Sequence, residues 1–187
     1  MKFNPTLTPR LRIREFEAAD RDFLLRFPAK PGQLKYMLFS LATEAEVDDF
    51  LDIVLRSQAE QGRKEWHLLV ELLSEGGDAL PIGSVDLMSE DPDAPDAELG
   101  YFFLSDHWGR GYAVEASRVL LDFAFNTLAL HRVWGKCHSE NLGSARVMEK
   151  LGMTREGTIR EHVWMRDHWR TSYLYGILDR EWPTARS

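Results

Sequence analysis

The chain has 187 residues, 44% of them hydrophobic and 28% charged, an ordinary globular composition for one domain that can bury roughly 70% of its unfolded surface. Its formal net charge of -7 weighs against broad nucleic-acid binding, which needs a basic face, and no apolar run approaches the ~20 residues of a membrane span. The single cysteine, Cys137, cannot form an internal disulfide and lacks the partners of a thiolate metal site, and residues 1–14 carry no apolar signal-peptide core, so a reducing cytoplasm is the expected setting.

In chain order, Leu7 to Phe16 reads as a first strand, with Leu11, Ile13 and Glu15 alternating with Arg12, Arg14 and Phe16. Asp20 can cap a short helix whose Phe23, Leu24 and Phe27 share a face, and Pro28 to Gly32 breaks it. Thr43 followed by Glu44 and Glu46 is a helix start. Val47, Phe50, Leu51, Val54 and Leu55 give that helix its apolar stripe, and Gly62 ends it. Trp66 to Leu73 and Pro81 to Met88 read as a hairpin around the turn Ser74 to Asp78. An acidic loop, Ser89 to Pro95, leads into a strand from Glu98 to Leu104. A helix follows from Gly111 to Leu128, with Ala113, Ser117, Leu120, Leu121, Ala124, Phe125 and Leu128 on one face. Leu130 to His138 is a strand and Asn141 to Leu151 a helix stopped by Gly152. Met153 to Leu178 forms two strands around a turn near Asp167. This order, antiparallel runs plus one strand-helix-strand crossover, gives a single α/β (α+β) domain with a core over about residues 7–179. It predicts a mixed, mostly antiparallel sheet with helices on both faces.

Two segments carry chemistry. His107-Trp-Gly-Arg-Gly-Tyr-Ala113 lies between a strand and a long helix. Its glycines allow a tight turn and close approach of a ligand, and the unpaired N–H groups of the helix start favour an anion such as a pyrophosphate. The spacing fits neither a P-loop nor a dinucleotide fingerprint, and a tight turn alone would explain the glycines equally well. The second segment, Asn141-Leu-Gly-Ser144, opens a helix after a strand. Asn141 is either an N-cap or a ligand-binding amide; Ser144 is either a local cap or a group turned to the sheet edge. His162 and His168 lack the acidic partner pattern of a zinc site. Trp164 and Trp169 read as core or rim aromatics.

Taken together, these segments resemble the GNAT superfamily of N-acetyltransferases over nearly the whole chain. The family's loop, Gln/Arg-x-x-Gly-x-Gly/Ala, is here Trp108-Gly-Arg-Gly111-Tyr-Ala113, with Trp108 departing from the pattern. Ala97 to Phe102, Asn141-x-x-Ser144, Glu149 to Met153, Arg155-Glu-Gly157 and the opening Thr8 to Arg14 are similar to the ribosomal-protein-alanine and spermidine acetyltransferase branch. The resemblance implies acetyl-CoA as co-substrate and no metal. It implies that Phe102, Phe103 and Leu104 offer backbone groups to the pantetheine arm, that Gly109, Arg110, Gly111, Tyr112 and Ala113 cradle the pyrophosphate, and that Asn141 holds the cofactor's amide portion. An N–H near Phe103 or Leu104 would face the developing oxyanion. Glu98 is the candidate base, with an exposed strand-end acid as the alternative. Met148 stands where many relatives carry an acidic tyrosine, and Ser144 would take over at the thiolate.

The expected reaction is direct acetyl transfer to a primary amine, a protein N-terminus, polyamine or other small amine. The alternative is a non-catalytic acyl-CoA-binding or partner-binding module of the same fold. Two acidic segments, Glu90, Asp91, Asp93, Asp96 and Glu98, and Glu44, Glu46, Asp48, Asp49 and Asp52, point to a cationic acceptor. Neither nucleic acid nor membrane is expected as a partner, and the family analogy points to a homodimer.

Overall fold

A computed structural model describes residues 2–29, 34–37, 40–76, 78–89, 91, 94–165 and 167–183. The elements are β1 (Thr6–Leu7), β2 (Leu11–Glu15), α1 (Arg21–Leu24), α2 (Glu44–Ala59), β3 (Glu65–Leu73), β4 (Ala79–Met88), β5 (Asp96–Phe103), α3 (Tyr112–Asn126), β6 (Arg132–His138), α4 (Leu142–Lys150), β7 (Thr154–Met165) and β8 (His168–Leu178). The strands make one eight-stranded sheet in the order β1-β2-β3-β4-β5-β6-β8-β7. Every pairing is antiparallel except β5 with β6, and α3 is the crossover that this parallel pair requires.

Helices cover both faces, as the order of elements predicts. On one face, Leu68, Val70, Val85, Leu87 and Leu99 pack against Ala116, Leu120 and Leu121 of α3 and Ala145 and Met148 of α4. On the other, Leu69 and Phe102 pack against Phe23 and Leu24 of α1 and Val47, Leu51 and Val54 of α2. A strand buried on both sides needs apolar residues at nearly every position, which is why Trp66 to Val70 shows no alternation. Each large side chain so buried contributes about 1.5–3 kcal/mol of transfer free energy.

Local chemistry fixes several boundaries. Thr43 caps α2: its hydroxyl accepts the Glu46 N–H at 3.2 Å while the Glu46 carboxylate accepts the Thr43 N–H at 3.0 Å. The helix ends at Ala59, before Gly62. The expected first strand is two, β1 and β2, which fold back on each other around Thr8 to Arg10. Asp20 does not cap α1. Its buried carboxylate instead accepts the Glu17 N–H at 2.7 Å and two Arg14 N–H bonds at 2.8 Å. On α3 the buried residues include Tyr112 and Ala116, whereas Ala113, Phe125 and Leu128 are only partly covered. Trp164 and Trp169 are not core: they stand 58% and 55% exposed and stack edge to face on each other. Of the expected breaks and acidic loop residues, Lys30, Pro31, Gly32, Gly77, Glu90 and Asp93 lie outside the described residues.

Candidate active site

The sheet opens at its one parallel joint. β5 and β6 pair only at Asp96↔Arg132, Ala97↔Val133 and Glu98↔Trp134, although β5 runs on to Phe103 and β6 to His138. Beyond Glu98 the edge of β5 that faces β6 has no strand beside it in the ladder. The Leu104 N–H donates to Ile82 O at 2.9 Å, which sets the phase of the β4–β5 ladder. Groups of Phe102 and Gly100 therefore point to β4, and those of Tyr101 and Phe103 point into the opening. Of the backbone groups expected there, those of Phe102 face β4 and Leu104 is committed elsewhere, with its N–H on Ile82 and its C=O on the His107 N–H. The backbone groups of Tyr101, which the sequence did not single out, face the opening beside those of Phe103.

The loop after β5 is held from two sides. Trp108, the departure from the family pattern, donates its indole N–H to Phe103 O at 2.8 Å and so ties the loop to the strand end. Arg10, from the turn before β2, donates to Arg110 O at 3.0 Å, pairs with Glu115 and lies over the Tyr112 ring at 4.7 Å. Gly109 and Gly111 take φ of +73° and +82°, a region an L side chain rarely enters. A Cβ on Gly109 would meet nothing within 4 Å, and one on Gly111 only Arg10 at 3.6 Å. The glycines therefore serve backbone conformation and leave open space beside the loop that leads to the first-turn N–H groups of α3. Those N–H groups have no partner within the helix, and the glycine turn lets an anion come close. The loop fits a pyrophosphate.

At the start of α4, Asn141 does act as a cap: its Oδ1 accepts the Ser144 N–H at 3.1 Å, which leaves its Nδ2 as a donor. The Ser144 hydroxyl is not used in capping. It lies 2.7 Å from the Tyr101 Oη, which also donates to Ser144 O at 3.0 Å. Burial, above all, pushes the Tyr101 phenol up, so it stays protonated. Burial also pushes the neighbouring Cys137 thiol up, to about 11, against the Ser144 hydrogen bond that lowers it. Met148 is buried in the core, and a Cβ built on Gly135 would sit 3.1 Å from its Cε, so Met148 fills the floor below the point where the strands part.

The opposite face is charged. Glu98 lies on it, half-buried, with its carboxylate 3.9 Å from the Lys136 Nζ. His138 and the pair His162 Nε2 to Ser172 Oγ, at 2.9 Å, share this face. Both imidazoles are held below their ordinary value, first by burial, then by Arg170 for His138 and by Lys136 for His162. Deeper, between the sheet and α2, lies a group of residues that sequence reasoning missed. His67 Nδ1 lies 2.9 Å from Asp86 Oδ1, which also accepts the Ser84 hydroxyl at 2.8 Å. His67 Nε2 lies 3.3 Å from Glu65. Burial pushes the His67 pKa down, but these carboxylates outweigh it and raise it to about 9. Three of the acidic residues of α2 are spent on structure: Glu46 in the cap, and Glu44 and Asp48 on Arg21. Asp49 and Asp52 remain exposed.

Comparison with known proteins gives the family and the fold. A family profile described as "Acetyltransferase (GNAT) domain" matches residues 10–154. The uncharacterized N-acetyltransferase YnaD of Bacillus subtilis is 30% identical over 175 residues, covering 94% of this chain and 97% of that one. A crystal structure of a GNAT-family acetyltransferase from Bacillus anthracis superposes with a TM-score of 0.80 at 29% identity, covering 97% of this chain and all of the other. The ribosomal-protein-S5-alanine acetyltransferase of Vibrio fischeri shares the fold, with a TM-score of 0.80 at 17% identity over 97% of this chain and 100% of that one. The profile match and the near-complete coverage by YnaD make this chain an N-acetyltransferase of the GNAT family, whose members use acetyl-CoA.

Proposed function

We propose that this chain transfers the acetyl group of acetyl-CoA directly to a primary amine, a protein N-terminus, polyamine or other small amine, within a ternary complex. The observation that carries the reading is the parting of β5 and β6 beside the glycine loop. It offers an extended ligand a strand edge and, at the far end, an anion site. Acetyl-CoA, when bound, supplies the acetyl group on a thioester whose leaving group is a thiolate.

In this reading the N–H groups of Gly109 to Ala113 hold the pyrophosphate, the edge of β5 at Tyr101 and the Phe103 N–H hold the pantetheine arm, the Phe103 carbonyl being taken by Trp108, and Asn141 Nδ2 serves its amide portion. The Phe103 N–H, one of the two backbone donors that face the opening, suits an oxyanion. Glu98, on the opposite face of the same strand, takes a proton from the acceptor amine directly or through one water. Ser144 offers its hydroxyl to the sulfur in place of the tyrosine that Met148 displaces. Trp108 supports rather than weakens the reading, because its indole pins the loop that the glycines shape.

The acceptor's charge has two readings. The exposed acids of α2 favour a cationic amine by long-range attraction. Lys136, with its Nζ 3.9 Å from the Glu98 carboxylate, favours an acceptor with an anionic neighbour group. The test is a panel of spermidine, a basic peptide and an acidic peptide of equal length, incubated with acetyl-CoA and followed by thiol release. On the cationic reading the basic peptide has the higher kcat/KM at low salt, and the gap shrinks as salt screens the field. The reverse order assigns acceptor choice to Lys136. Binding of acetyl-CoA with no amine turned over by the panel would favour the binding-module alternative.

A further inference from the structure

Tyr101 and Ser144 form a unit at the mouth of the opening. Tyr101 projects from β5 beyond the last residue paired with β6, on the face that carries α3 and α4. Its hydroxyl crosses to the first turn of α4, where it meets both Ser144 Oγ at 2.7 Å and Ser144 O at 3.0 Å. Asn141 already satisfies the Ser144 N–H, so the Ser144 hydroxyl has no capping duty.

The two hydroxyls hold one proton each, and their directions are linked. When the Tyr101 proton lies on Ser144 O, the short contact between the hydroxyls requires Ser144 to donate back to Tyr101. Ser144 then presents only lone pairs to the opening. When the Tyr101 proton lies on Ser144 Oγ, the Ser144 proton is released, and the Cys137 sulfur, already a hydrogen-bond partner of Ser144, takes it until a ligand sulfur arrives. The phenol stays protonated because it is buried, so it is a donor in either arrangement.

We propose that Tyr101 is a positioning residue that decides which way the Ser144 hydroxyl points, turning Ser144 into a donor when an anionic sulfur reaches Oγ. This rests on the assignment of Ser144 to the sulfur made above. Both O–H bonds stay intact and only rotate. The anion's charge is then shared along a two-link chain, in which each hydrogen bond polarises the next. Phenylalanine at 101 would keep the packing and remove the second link.

The test needs no acceptor. The affinities of CoA and of desulfo-CoA, which lacks the thiol, are measured by calorimetry between pH 7 and 10 for the parent, Tyr101→Phe and Ser144→Ala. If the site favours the thiolate, CoA tightens relative to desulfo-CoA as pH rises through the thiol's range. A gain of about tenfold is expected for the parent, the size of one hydrogen bond to a charged group. Both variants should lose most of that gain while binding desulfo-CoA within about twofold of the parent, which also shows that they are folded. Cys137 and Tyr175 adjoin the pair, and burial above all holds both above their ordinary values, Cys137 at about 11, beyond the pH range scanned. The proposal is overturned if Tyr101→Phe keeps the gain, if it weakens desulfo-CoA as much as CoA, or if the parent shows no gain. Failure of the transfer reading is a separate result: no amine turned over in the panel.

Discussion

The two faces of the sheet flank the same strand, β5, and are built from different materials. The α3/α4 face presents backbone N–H groups, a capping amide and two neutral hydroxyls. The α1/α2 face presents Glu98, Lys136, two depressed histidines and, beneath α2, the His67–Asp86 pair. Neutral donors keep their state at any working pH and suit a cofactor that brings its own negative charge. Charged groups change with pH and suit the side where an amine must lose a proton. Each face should therefore fail in its own way.

The largest effect is expected at the glycine loop. At saturating acetyl-CoA, about 100 times its dissociation constant, the parent should gain about 2.7 kcal/mol of stability. Gly111→Val should gain none, because a branched side chain at φ +82° forces the loop out of shape. Thermal unfolding with and without ligand reads this, with circular dichroism as the check on folding. Normal affinity in a folded variant would remove the loop from the cofactor site. Next is Glu98→Gln on the charged face. Turnover at neutral pH should fall about 100-fold and recover in part as rising pH supplies free amine. A pH–rate profile identical to the parent's would return Glu98 to an ion pair with Lys136.

Ser144→Ala tests the neutral face during turnover. Its rate should fall about tenfold with acetyl-CoA affinity unchanged, as for an interaction made mainly in the transition state. The last effect concerns stability. The folded pKa of His67, about 9, lies above its ordinary value of 6.5. The imidazolium's contribution is therefore complete below pH 6.5 and is lost as pH rises through 9. His67→Gln should start less stable at pH 6 and lose less between pH 6.5 and 9 than the parent in denaturant melts. Parallel pH profiles would mean that His67 is neutral in the fold.

The sequence carried the elements and one half of the site. Apolar spacing, the Thr43 cap and the glycine pair are local signals, and each is read over a few residues. The glycine loop and the Asn141-x-x-Ser144 turn were legible because their chemistry is in backbone and cap. The other half was not, because it depends on which strands lie side by side. His67 and Asp86 are far apart in the chain, and only the β3–β4 register sets them opposite each other. Tyr101 lies within the strand read from Glu98 to Leu104, and only the docking of α4 brings Ser144 to its hydroxyl. The acids of α2 read as a cationic-acceptor signal, yet three of them bond within the fold.

By itself, then, the sequence determined the order and type of the elements, the mixed sheet and the glycine turn at α3, since φ preference, capping and periodicity act between near neighbours. The tertiary structure alone decided where β5 and β6 part, which backbone groups face that opening and which charges are spent on one another. Those depend on strand register and on contacts between residues distant in the chain, which no local pattern encodes.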